Sequence, residues 1–95
     1  MPDRDGPRYF LITVGSRTAT LSCAPGWSDP ACTALERAGG DPGRLQRREG
    51  ASCTMEYSPV HATATGVWDG REYQYERTFS NACELAVTTG PVFQI

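Results

Sequence analysis

The residues of this sequence best equipped for chemistry are four cysteines, Cys23, Cys32, Cys53 and Cys83. Thiolates bind metals, attack carbonyl carbons or pair as disulfides, and their spacing helps to separate these uses. Structural zinc sites draw on two close Cys pairs, and these four are spread too widely for that signature. An even number of Cys in a chain of 95 residues suits disulfides formed in an oxidising compartment. Four Cys admit three pairings, and the residues alone do not choose among them. No metal and no cofactor is expected.

The other reactive groups are sparse. His61 is the single histidine, so one chain cannot supply two imidazole ligands. A catalytic base needs a nucleophile and an orienting group beside it. The expected sheet register puts His61 next to Thr63 and across from Thr78, on a polar face, as an ordinary surface residue. Glu72 and Glu76 share a strand face without forming a motif, with Arg71 and Arg77 close in sequence, and read as solvated surface. Gly39-Gly40 lacks the Gly-Lys-Ser/Thr ending of a phosphate loop and reads as a helix stop. Arg44, Arg47 and Arg48 form a small basic cluster, solvated by default, with a protein interface as the minor alternative. Trp27 and Trp68 read as covers for a core edge. These residues do not make an enzyme.

Two blocks remain, Cys53-Thr54-Met55-Glu56-Tyr57-Ser58-Pro59 and Phe79-Ser80-Asn81-Ala82-Cys83-Glu84. Joined through their cysteines, they would tether an extended segment to a distant part of the chain. Pro59 biases Ser58 toward extended backbone. Met55 would then be a protruding, unbranched apolar side chain that a protease cleft can grip. On composition alone, a second role for Met55 as a gap-filler in the core stays open.

The elements that must position these blocks are mostly strands. Tyr9–Val14 and Thr18–Cys23 read as strands around a Gly15-Ser16 turn. Val60–Trp68 and Arg71–Phe79 form the clearest hairpin, turned by Asp69-Gly70. Its register sets Gly66 opposite Tyr73, Ala64 opposite Tyr75 and Val60 opposite Phe79. Pro91–Ile95 alternates and reads as a closing strand. A helix is expected over Ala31–Ala38, capped by Ser28 or Asp29, with Pro30 in its first turn and Cys32 and Leu35 on its inner face. Asp41–Arg48 is expected to add one further turn. Ala24–Trp27 is a loop and residues 1–7 a flexible arm, leaving 8–95 as one domain. The expected fold is α+β: a five-stranded antiparallel sheet with one to two short helices on one face and two disulfides.

The first strand is apolar on both faces, whereas a one-layer antiparallel sheet should alternate. A second copy of the chain is expected to cover the outer face, giving a homodimer. The net charge of −2 is too weak to imply nucleic acid or an acidic membrane as partner. No run is long and apolar enough to span a bilayer. An export signal, absent from this polar start, is expected to have preceded it.

The ordered pieces resemble the Streptomyces subtilisin inhibitor family of secreted actinobacterial protease inhibitors. The similarity runs from Leu11-Ile12-Thr13-Val14-Gly15 to Val92-Phe93. It includes Thr20–Gly26, Ala31-Cys32 with Leu35, Gly39-Gly40-Asp41, Cys53–Val60, Gly66–Gly70 and Tyr75–Glu84. The resemblance implies disulfides Cys23–Cys32 and Cys53–Cys83, five strands, two helices and a homodimer. On the loop-entropy model these cross-links are worth roughly 2.7 and 3.7 kcal/mol. It implies an inhibitor of extracellular subtilisin-like or chymotrypsin-like serine proteases, with the reactive bond between Met55 and Glu56. Met55 would enter the specificity pocket. Cys53, Thr54, Tyr57 and Ser58 would line the cleft, with Asn81 and Pro59 as loop support. An unbranched Met suits such pockets better than trypsin-like ones, which hold a carboxylate.

Three departures from the family pattern stand out. Thr54 occupies a position that is commonly Pro, which removes a source of loop stiffness. Glu56 replaces a small or branched apolar residue, and its carboxylate must be desolvated in the cleft at a cost of about 1–3 kcal/mol unless a donor meets it. The Val14–Thr20 region is also shorter. Glu56 leaves room for a member retuned to a metalloprotease or transglutaminase, or for a non-inhibitory interaction module.

Overall fold

The computed structural model describes residues 7–23, 29–46 and 48–95. The expected arm at 1–6, the loop carrying Trp27, the alternative cap Ser28 and Arg47 of the basic cluster lie outside these residues. Strands β1 (Arg8–Val14) and β2 (Arg17–Ser22) precede helix α1 (Pro30–Arg37), and β3 (Val60–Trp68) and β4 (Arg71–Phe79) precede helix α2 (Ala82–Thr89). Short 3-10 turns occupy Pro42–Arg44 and Gly90–Phe93. The strands form one antiparallel sheet in the order β2-β1-β3-β4.

Alternation builds the core face. Phe10 and Ile12 of β1, with Ala62, Ala64 and Trp68 of β3, point inward and are buried. Small residues on β3 leave room for aromatic neighbours, and the register sets Gly66 against Tyr73, Ala64 against Tyr75 and Val60 against Phe79, as the sequence predicts. Gly66 is required by its other neighbour: a Cβ there would overlap the Tyr9 carbonyl of β1. The Asp69-Gly70 turn has both residues at positive φ, the condition of a two-residue hairpin loop. Arg8 stacks over Trp68 at 4.6 Å and donates to both Asp69 carboxylate oxygens at 2.7 and 2.9 Å, which pins the hairpin tip to the start of β1.

Helix α1 covers this face through Ala31, Cys32 and Leu35. Asp29 caps it, accepting from the Ala31 N–H at 2.8 Å, and Pro30 fills the first turn. Gly39 and Gly40 end it at positive φ, and a Cβ on Gly40 would collide with the Trp68 ring. The further turn expected after Asp41 is the Pro42–Arg44 3-10 turn, capped by Asp41.

Among the described residues the sheet has four strands, not the five expected. Pro91–Ile95 was expected to close it, and Gly90–Phe93 forms a 3-10 turn instead. Gly90, at φ 60°, redirects the chain after α2, and Pro91 suits the start of a helical turn. Val92 and Phe93 are adjacent, and both are buried. Successive side chains of a strand face opposite ways, so a strand over a single core could not bury both; a 3-10 turn can. Phe93 meets Tyr75 with ring centroids 5.7 Å apart.

Candidate functional site

Residues 51–59 form an irregular span between the Arg48–Gly50 turn and β3. Arg48 N–H donates to the Val87 carbonyl at 2.7 Å, which fixes the approach of the chain to α2. Disulfide Cys53–Cys83 then ties the span to the first turn of α2, with Cα atoms 5.8 Å apart. At the far end, the Ser58 N–H donates to the Ser80 carbonyl at 2.8 Å. Pro59, exposed, leads directly into β3. The second disulfide, Cys23–Cys32, joins the end of β2 to α1. Both pairings are those the resemblance implies, and no cysteine is left as a thiol or metal ligand.

Asn81 is the centre of the arrangement. It is the N-cap of α2, with its side-chain oxygen accepting from the Glu84 N–H at 2.8 Å. Its side-chain amide faces the opposite way and donates to the Thr54 carbonyl at 3.2 Å and the Glu56 carbonyl at 2.7 Å. One buried side chain therefore uses both ends, one to cap a helix and the other to hold the span. The two carbonyls it holds lie on either side of Met55, and the Met55 carbonyl is not among its acceptors.

Held at these points, the span presents its side chains to solvent. Met55 is 100% exposed and Tyr57 78%. The core gap-filler reading of Met55 is thereby removed. Thr54, Glu56 and Ser58 are exposed as well. A hollow of about 210 Å³ is lined by Thr54, Glu56, Ser58, Val60, Asn81 and Ala82. The segment is thus held by hydrogen bonds and one cross-link more than by packing.

The remaining candidates do not converge on this place. His61 Nδ1 lies 2.9 Å from the Thr78 hydroxyl and Nε2 3.2 Å from Glu76, all on the open outer face of the sheet. Glu72 is exposed on the same face of β4. Arg44 sits loosely against Asp41 at 3.9 Å, and Arg48 is exposed. Trp68 is buried at the core edge as predicted. Among the described residues, no group of His, Cys, Asp and Glu could hold a metal ion. No helix among them is long and apolar enough to cross a membrane.

Asn81 was expected, through the resemblance, to support the span, and it does so; the position of helix α2, and with it the second use of Asn81 as a cap, was not expected from the sequence. The signal was present: Asn81-Ala82-Cys83-Glu84 has the cap residue and the acidic residue three positions later that mark a helix start.

A family model described as subtilisin inhibitor-like matches residues 11–81. Subtilisin inhibitor-like protein 2 of Streptomyces rochei is 46% identical over 92% of this chain and 91% of its own length. Subtilisin inhibitor-like protein 3 of Streptomyces coelicolor is 45% identical over 92% of this chain and 96% of its own. Among solved structures, a chain from the crystal structure of Streptomyces caespitosus sermetstatin in complex with Bacillus licheniformis subtilisin superposes with a TM-score of 0.72. It is 32% identical, and the match covers 95% of this chain and 100% of that one.

Proposed function

The chain belongs to the subtilisin inhibitor-like family, and from that premise we propose that it inhibits subtilisin-like and chymotrypsin-like serine proteases through the Met55–Glu56 bond. The observation that carries this is the Asn81 amide, bonded to the carbonyls on both sides of a fully exposed Met55.

The chemistry follows from that clamp. An extended segment binds a protease as substrate does, adding a strand to the edge of the cleft. Met55 fills the specificity pocket, with Cys53, Thr54, Tyr57 and Ser58 along the cleft. The Met55 carbonyl, outside the Asn81 clamp, is offered to the enzyme's nucleophile and oxyanion donors. If the bond opens, the new Glu56 amine stays in place. The Asn81–Glu56 and Ser58–Ser80 bonds hold that side, and Cys53–Cys83 holds the other. Resealing then competes with hydrolysis. A segment already ordered before binding also loses less conformational freedom in the complex.

The test is a titration of subtilisin with the oxidised protein, followed by mass spectrometry of the complex. Stoichiometric inhibition with slow cleavage only at Met55–Glu56 is expected. Rapid cleavage there without inhibition would overturn the proposal. Glu56 tunes the target: a cognate enzyme carries a basic group beside its leaving-group pocket. Against subtilisin, Glu56→Val is expected to tighten inhibition by about tenfold or more, since a carboxylate no longer loses its water. An unchanged inhibition constant would count against that assignment.

Residues 8–95 act as a single inhibitor domain, secreted into an oxidising medium where both disulfides persist. The outer sheet face, with Tyr9 and Leu11 nearly half exposed, is the self-association surface of a homodimer. Sedimentation at micromolar concentration should give the mass of two chains, and Leu11→Arg should give one. A monomeric parent protein would remove the dimer.

A further inference from the structure

We infer that Met55 is an oxidation-sensitive switch: a two-electron oxidant of the peroxide class, acting on its thioether, turns the inhibitor off. This rests on Met55 being the side chain that enters the specificity pocket.

Three observations converge on that atom. Met55 is 100% exposed, so its sulfur is open to a small oxidant from every side. All four cysteines are locked in disulfides, so no thiol competes for the oxidant. Among the described residues, the Met55 sulfur is therefore the sole reduced sulfur, since the other methionine, Met1, lies outside them. Oxidation of methionine follows exposure and converts a flexible apolar side chain into a polar, chiral one.

The step balances simply. A lone pair on the sulfur attacks the terminal peroxide oxygen, and the O–O bond breaks. The oxygen stays on sulfur and the remainder leaves as water after proton transfer. Sulfur loses two electrons and the peroxide gains them. No backbone bond changes, so the Asn81 contacts to Thr54 and Glu56 and the Cys53–Cys83 cross-link persist. What changes is the tip. A sulfoxide oxygen is a strong acceptor, and burying it in an apolar pocket without a donor weakens binding by roughly 10- to 100-fold.

The switch acts only on the unbound inhibitor. Once Met55 is buried in an enzyme its sulfur is shielded, so existing complexes survive while the unbound reserve is disarmed. An oxidative burst then shifts the balance toward active protease without destroying either protein.

The experiment treats the disulfide-intact protein with hydrogen peroxide, removes the peroxide with catalase, and titrates subtilisin. Peptide mass spectrometry counts the oxygen gained at Met55. Met55→Leu, which keeps Met1 but has no sulfur at the tip, is carried through the same treatment. For each protein the ratio of inhibition constants after and before peroxide is read. The expected ratio is about 10 to 100 for the parent and unity for Met55→Leu, whatever the starting constant of the variant. An oxygen at Met55 with the ratio still at unity would overturn the switch. So would an equal loss in Met55→Leu, which would place the damage elsewhere. Failure of the untreated parent to inhibit would overturn both the switch and the inhibitor reading, which the untreated arm reports separately.

Discussion

If the chain inhibits as proposed, Asn81→Asp should turn it toward a faster substrate, at a smaller cost to the fold than the loss of a disulfide. The substitution keeps an oxygen where Asn81 accepts from the Glu84 N–H, so the cap on α2 survives. It replaces the amide donor by a second oxygen facing the carbonyls of Thr54 and Glu56. Two hydrogen bonds are lost and acceptors now face each other. At about 0.5–1.5 kcal/mol for each bond, inhibition should weaken by roughly 10- to 100-fold or more. Cleavage at Met55–Glu56 should accelerate, because the Glu56 side of the bond is no longer held. Asp ranks with Asn as a cap, so the stability cost is that of the two lost bonds, about 1–3 kcal/mol, and the urea midpoint should fall by a corresponding amount. Asn81→Ala removes the cap as well and should cost about 1 kcal/mol more in stability. Subtilisin titration, timed mass spectrometry and urea unfolding on the three proteins separate these effects. Asn81→Asp inhibiting like its parent would remove the clamp from the mechanism.

Removing the Cys53–Cys83 cross-link, by Cys53→Ser with Cys83→Ser, should have the larger effect on stability. This bond closes a loop of 30 residues' separation. On the chain-entropy model its loss costs roughly 3.7 kcal/mol. For a domain of this size that corresponds to a fall in Tm of roughly 15–30 °C. Inhibition should fail well below the new Tm, because the span before Met55 loses its covalent anchor while Ser58 keeps its own on Ser80. Calorimetry checks the first statement. Titration of subtilisin at low temperature checks the second. Full inhibition by a cold, folded double variant would show that hydrogen bonds alone hold the span.

The contrast between these variants explains what could be read from the sequence. The Asp69-Gly70 hairpin was legible because a short-range signal fixes both turn and register, and Gly66, Ala64 and Val60 fell opposite their predicted partners. Helix α1 was legible through Asp29, Pro30 and the paired glycines after it. The last segment was misread because alternation in Pro91–Ile95 is too short to separate a strand from a 3-10 turn. Tertiary burial of both Val92 and Phe93 decided the outcome. At the site, Met55 and the cysteine pairing came through resemblance to a family; composition alone left Met55 undecided between core and surface. The two-sided use of Asn81 depends on a helix cap meeting a segment 25 and 27 residues away. No local pattern reports such a meeting.

Strand β1 lies between β2 and β3, so the middle of the sheet closes only when distant stretches meet, as Thr13 and Thr63 do across 50 residues. The entropy of closing so long a loop must be overcome before the pairing gives any return, which places such topologies among the slower folders. The span bearing Met55 belongs to the stretch that β1 and β3 enclose, and α2, which holds it, comes later still. A newly made chain therefore passes through an interval in which Met55–Glu56 is an ordinary peptide bond on an unstructured strand. Under the proposed function, that interval leaves the bond open to the proteases the folded chain would block, so the recovery of inhibitor would depend on a race between folding and digestion.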